Sequence, residues 1–156
     1  MSKSHESHFS VEFGDCDPAQ IVFYPNYFRW MDAASLRFFR ACGVPSWKDM
    51  EASTGIIGTP LVDASARFMR PASYGDVIDV ETSIVVPPGK SFVMKHVIRR
   101  DGEVLVEGRE VRVFARRHPT DPRRIQAVPM PDKVRSLCEL PPARGEEAAT
   151  EPEQTK

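Results

Sequence analysis

The sequence predicts an α+β domain in which one long helix packs on an antiparallel sheet. Three observations predict it: an apolar stripe of helical period early in the chain, period-two alternation after Gly58, and short turns between the alternating segments. No internal repeat is present.

Phe9, Val11 and Phe13 alternate with polar residues and predict a short half-buried strand over Phe9 to Phe13. A loop with Gly and Asp follows, from Gly14 to Phe23. Tyr24-Pro25-Asn26 then opens a helix, because Pro is suited to a first helical position whose N–H needs no partner. Tyr27, Met31, Ala34, Phe38 and Ala41 recur at spacings of four and three, one buried stripe. Arg29, Asp32, Arg37 and Arg40 fall off it. Gly43 ends the helix in the left-handed region. Ser46, with Asp49 three residues on, approximates a capping box and starts a second, short helix.

The strands follow. Val62, Ala64, Ala66 and Phe68 share one face; so do Ile78, Val80, Thr82 and Ile84; so do Phe92, Met94, His96 and Ile98. Asp101-Gly102 is a hairpin signal, and Glu103 to Ala115 is the return strand. Arg124 to Val128 adds a strand end, and Pro131 to Leu137 a last helical turn.

Composition bounds the function. A chain of 156 residues is one domain, and 41% apolar residues suffice for its core. Lys and Arg total 21 against 22 Asp and Glu, a balance that argues against a nucleic-acid binder. No apolar run reaches membrane length, and Met1 to His8 lack the apolar core of a signal peptide. Cys16, Cys42 and Cys138 are odd in number and lack zinc spacing, which fits a reducing cytoplasm. Residues 139–156 carry five acids and two bases with no aromatic, so the domain is expected over 1–138 and a disordered acidic tail over 139–156.

Asp15 and Asp17 stand just upstream of the helix start. A helix N-terminus presents free N–H groups and partial positive charge, and it can polarise a carbonyl oxygen. A carboxylate close by can attack that carbonyl or activate water. Two other readings stay open: Asp17 caps its turn through the Asp-Pro step, or the paired acids hold a metal. The metal reading is disfavoured and no metal is expected, since His5 and His8 fall in a terminus expected to fray. His96 reads as a packed, hydrogen-bonded histidine, and Cys16 has no base beside it. Arg112, Arg116, Arg117, Arg123 and Arg124 form a basic cluster that either binds phosphate or is a solvated strand end.

The run Phe13-Gly14-Asp15-Cys16-Asp17-Pro18-Ala19-Gln20-Ile21-Val22-Phe23-Tyr24-Pro25-Asn26-Tyr27-Phe28-Arg29-Trp30-Met31-Asp32 resembles the signature of the 4-hydroxybenzoyl-CoA thioesterases of the hot-dog superfamily. Cys42-Gly43 with Trp47, Gly55 to Pro60, Ala72-Ser73-Tyr74 before Asp76, Lys90 to Val93 and Arg112 to Ala115 continue the match in order, over roughly residues 8 to 138. The resemblance implies a long helix wrapped by a curved sheet, a homodimer or homotetramer with sites between subunits, and hydrolysis of an acyl-CoA thioester, an aromatic one above all. It implies Asp17 as nucleophile or general base and the Tyr24 amide as the donor to the carbonyl. Asp32, Trp47 and Thr59 match positions around the acyl group; Lys90, Ser91 and Phe92 match the segment against coenzyme A. Coenzyme A is part of the substrate, so no separate cofactor is implied. Gln20 departs from the family's usual Gly, and Pro87-Pro88-Gly89 precedes Lys90 where basic residues are usual. A general short-chain acyl-CoA thioesterase and a non-catalytic acyl-CoA-binding module are the alternatives.

Overall fold

The computed structural model describes residues 3–143. Its elements are β1 (Ser4–Ser10), α1 (Pro25–Ala41), α2 (Trp47–Thr54), β2 (Ile56–Gly58), β3 (Leu61–Phe68), β4 (Val77–Val85), β5 (Ser91–Arg100), β6 (Glu103–Arg117), β7 (Ile125–Val128) and α3 (Asp132–Leu137). The strands form one antiparallel sheet in the order β1-β4-β5-β6-β2, with β3 and β7 also paired to β6. At fifteen residues, β6 is long enough to carry β5 along its first part and β7 beyond it, with β3 and β2 on its other side.

Helix α1 lies on this sheet. Tyr27, Trp30, Met31, Ala34, Ser35, Phe38 and Phe39 are its buried residues. The stripe is wider than the expected one, and it ends differently: Ala41 is exposed and Cys42 takes the buried place. Pro25 opens the helix, and Gly43 follows it with φ of 88°. Ser46 caps α2, its Oγ accepting the Asp49 amide at 3.2 Å.

Two apolar clusters meet beneath α1. One gathers Phe38, Phe39, Phe92 and Phe114; the other gathers Tyr27, Met31, Ile78, Val80, Ile98 and Leu105. They leave no room at Gly108, where an added Cβ would strike the Met31 sulfur. Met31 is fully buried and cannot swing out. Gly108→Ala is therefore expected to lose about 1–3 kcal/mol in denaturant unfolding, and unchanged stability would contradict this packing.

Two expectations are corrected. The first strand lies further N-terminal, at Ser4–Ser10, and pairs with β4 from Ser4↔Ser83 to Ser10↔Val77. His5 and His8 are thus held in a sheet and do not fray. An edge strand accepts such polar residues, so alternation alone cannot show it. Phe13 instead enters a 3-10 turn, where the Glu12 amide donates to Asp15 Oδ2 at 2.8 Å. Val62, Ala64, Ala66 and Phe68 do share one face of β3, and that face is largely open in the single chain: Val62 is 64% exposed and Phe68 46%. β3 lies at the sheet's margin, with β6 its one partner among the described residues. The short strand β2 had no signal in the pattern.

At the C-terminal end, the Leu140 amide donates to the Arg135 carbonyl at 2.9 Å and Leu140 packs on the core. Contact with the domain thus continues past residue 138. Residues 144–156 of the expected acidic tail lie outside the described residues. Among the described residues no helix is long and apolar enough to cross a membrane.

Candidate active site

The segment before α1 folds as a small hairpin. Cys16 and Val22 pair as an isolated bridge, the Asp17 amide donates to the Ile21 carbonyl at 2.9 Å, and the Gln20 amide donates to the Asp17 carbonyl at 2.8 Å. Pro18 and Ala19 sit at the centre of the turn. Gln20 has φ of 65°, the left-handed region that glycine occupies without strain. Ser73 Oγ holds it there by donating to the Gln20 carbonyl at 2.6 Å. Gln20→Gly is accordingly expected to raise stability by about 0.5–1 kcal/mol, the relieved strain less glycine's extra unfolded entropy. A lower melting temperature for Gln20→Gly would count against strain at this turn.

This hairpin leads directly into the helix. The Phe23 amide and Asn26 Nδ2 both donate to the Asp15 carbonyl at 2.8 Å. The amides of Asn26 and Tyr27 turn back to the carbonyls of Phe23 and Tyr24. Pro25 has no N–H, and among the described residues the Tyr24 amide has no acceptor. That leaves one free donor at the positive end of a seventeen-residue helix. Asp17 is half-buried; its Oδ1 accepts the Ala19 amide at 2.8 Å, and its other oxygen has no partner among the described residues. The turn-capping reading and the catalytic one are compatible, because one oxygen anchors while the other stays open.

Two clefts flank α1. One, of about 320 Å³, is lined by Tyr24, Ile21, Tyr27, Phe68 and Arg70 at the helix start. The Tyr27 hydroxyl behind it accepts the Ala72 amide at 3.2 Å, and burial raises its pKa. The other cleft, of about 410 Å³, brings together Asp32, Trp47 and Thr59 with Ser35, Gly58 and Arg112. Within a single chain these are separate spaces.

The floor of the second cleft is ionic. Arg112 Nη2 donates to Asp32 Oδ1 and to Glu110 Oε2, each at 2.6 Å, and Nη1 donates to the Thr59 carbonyl at 2.8 Å. Behind it, Glu110 Oε1 accepts from Ser35 Oγ at 2.5 Å and lies 2.7 Å from His96 Nε2; His96 Nδ1 faces Thr82 Oγ1 at 2.8 Å. Burial alone would raise the Glu110 pKa. The hydrogen bonds from His96 and Arg112 outweigh it and bring the carboxyl from 4.5 down to about 2.

A protein-family model described as the thioesterase-like superfamily matches residues 11–137. This chain belongs to the thioesterase-like superfamily. It is 42% identical over 143 residues to a 4-hydroxybenzoyl-CoA thioesterase of Pseudomonas sp. (strain CBS-3), a match covering 88% of the chain and 99% of that protein. A crystal structure of a 4-hydroxybenzoyl CoA thioesterase mutant complexed with 4-hydroxybenzoyl CoA is similar to it, with a TM-score of 0.81 and 41% identity over 86% of this chain and 98% of the other. A gentisyl-coenzyme A thioesterase structure gives a TM-score of 0.72 and 37% identity over 84% and 99%. The thioesterase-like chain has the hot-dog fold that the resemblance implied.

The remaining expected site residues divide. Lys90 is exposed and Ser91 half-buried at the turn entering β5. The Phe92 ring is fully buried against Phe39 and Phe114, so only the backbone of this residue is left to face a ligand. Inward alternation along β5 puts it in the core. Arg112 likewise leaves the basic cluster, being 5% exposed and paired inward. Of the rest, Arg116 Nε donates to Gln126 and Arg117 Nε to Glu51. The thioesterase-like chain does place Glu6, His8 and Asp79 together, but on the β1–β4 margin, where His8 Nδ1 lies 2.6 Å from Asp79.

Proposed function

We propose that the chain hydrolyses an aromatic acyl-CoA thioester to the free acid and coenzyme A. The observation that carries the reading is the unpaired Tyr24 amide at the start of α1, preceded in the chain by a hairpin on which Asp17 keeps one oxygen open. The relatives' activity on hydroxybenzoyl-CoA and gentisyl-CoA supports the choice of acyl group. The Tyr24 amide and the helix dipole polarise the thioester carbonyl. Asp17 attacks the carbonyl carbon to form a mixed anhydride that water then opens, or takes a proton from attacking water. Either way the thiolate of coenzyme A leaves and is protonated. Asp32, Trp47 and Thr59 hold the ring, and Lys90 and Ser91 lie along coenzyme A.

The active unit is at least a homodimer. Val62 and Phe68 on the exposed strand β3 offer an apolar surface for a second copy, which would bring the helix start of one chain toward the Trp47 cleft of another. Three free thiols suit a reducing cytoplasm.

Thiol release from benzoyl-, 4-hydroxybenzoyl- and straight-chain acyl-CoA, read with a colorimetric thiol reagent, tests the assignment. Steady release favouring the aromatic thioesters is expected. Preference for straight chains, or tight binding without release, would overturn it.

A further inference from the structure

Asp32 presents a physical problem. Its side chain is 65% exposed, so by itself it would sample several rotamers and give little selectivity. Arg112 removes that freedom. The guanidinium is 6% exposed and spans Asp32 Oδ1, Glu110 Oε2 and the Thr59 carbonyl at 2.6, 2.6 and 2.8 Å. A planar fork makes such a three-way bridge, and an ammonium does not. Glu110 is in turn fixed by His96 and Ser35, both buried, so the bridge is anchored on β5 and α1 as well as its own strand. The second oxygen of Asp32 has no partner among the described residues.

We infer that Arg112, clamped by Glu110, is a positioning residue that sets substrate selectivity by presenting Asp32 as a fixed hydrogen-bond acceptor to a hydroxyl on the acyl ring. The inference rests on the proposed aromatic thioester substrate. A carboxylate held at one oxygen accepts at the other. It therefore rewards a ring bearing a donor and offers nothing to an unsubstituted ring.

The test measures binding, by calorimetry, of two non-hydrolysable thioethers of coenzyme A: phenacyl-CoA and 4-hydroxyphenacyl-CoA. Wild-type protein is expected to favour the hydroxylated analogue by about tenfold or more, the scale of one charge-assisted hydrogen bond. Arg112→Lys is expected to cut that ratio by at least about fivefold, as is Asp32→Asn. The double variant is expected to lose little more than either single one, because both act through the same bond. Glu110→Gln keeps the clamp's shape with less charge, and it is expected to lower the ratio should Arg112→Lys fail to fold. A full ratio in folded Arg112→Lys or Glu110→Gln overturns the inference, as does a wild-type protein without hydroxyl preference. Failure of wild type to bind either analogue overturns the substrate reading and the inference together. Thiol release from aromatic thioesters without a hydroxyl preference sinks the inference alone.

Discussion

Replacing Asp17 with Asn is expected to lower turnover of an aromatic acyl-CoA thioester by about 10²–10⁴-fold, the range for losing a positioned base or nucleophile. Binding of the thioester is expected to persist. Asn keeps the Oδ1 that accepts the Ala19 amide, so the turn from Asp17 to Ile21 retains its hydrogen bonds. What is lost is the negative charge on the open oxygen. The fall should therefore appear in kcat, with the dissociation constant for the thioester within a few-fold of wild type. Asp17→Ala removes the anchor as well, so it is expected to lose both kcat and loop order. Stopped-flow turnover with parallel binding titration separates the two. Asp17→Asn at near wild-type kcat would remove Asp17 from the chemistry.

The second large effect concerns folding. Glu110→Ala is expected to destabilise the protein by about 3–5 kcal/mol, because Arg112 would keep its buried charge while losing its buried partner. The Ser35 hydroxyl and the His96 ring would lose their shared acceptor too. Denaturant unfolding reads the loss directly, and a change below about 1 kcal/mol would show that the network contributes little. Acid gives an independent readout. The Glu110 carboxyl is held at about 2 in the fold against 4.5 ordinarily. A depressed pKa contributes stability that is complete above the ordinary value and is lost as pH falls through the folded one. Wild type is thus expected to lose stability between about pH 4.5 and about pH 2, and Glu110→Gln to show a shallower loss across that window. Equal slopes would contradict the pairing.

Legibility in the sequence followed the kind of force at work. Period and punctuation showed α1, because Pro25 and Gly43 bracket an apolar stripe. They showed β4 and β5 as well, whose inward residues alternate without a break. β1 lies outside the strand that alternation indicates because it is held by a ladder with β4, and Ser and His carry no periodic signal. β3 was legible as a strand, yet its apolar face is exposed in the single chain; pattern distinguishes apolar from polar, not one covering partner from another. Asp17 and Tyr24 are legible through the resemblance; the hairpin that joins them, with its left-handed turn at Gln20, is not. The Ser35–His96–Glu110–Arg112 network is not legible in the sequence. Its one signal was polar residues on inward positions of β4, β5 and β6. Thr82, His96 and Gly108 pair side by side only once register is known. Arg112 stands among basic sequence neighbours, yet a two-residue period turns it inward with Glu110 and away from Arg117.

The most direct test is a crystal structure of Asp17→Asn with an intact aromatic acyl-CoA thioester bound. The carbonyl oxygen is expected at about 3 Å from the Tyr24 amide nitrogen, with the side chain of residue 17 facing the carbonyl carbon. A thioester carbonyl that reaches neither group would contradict it.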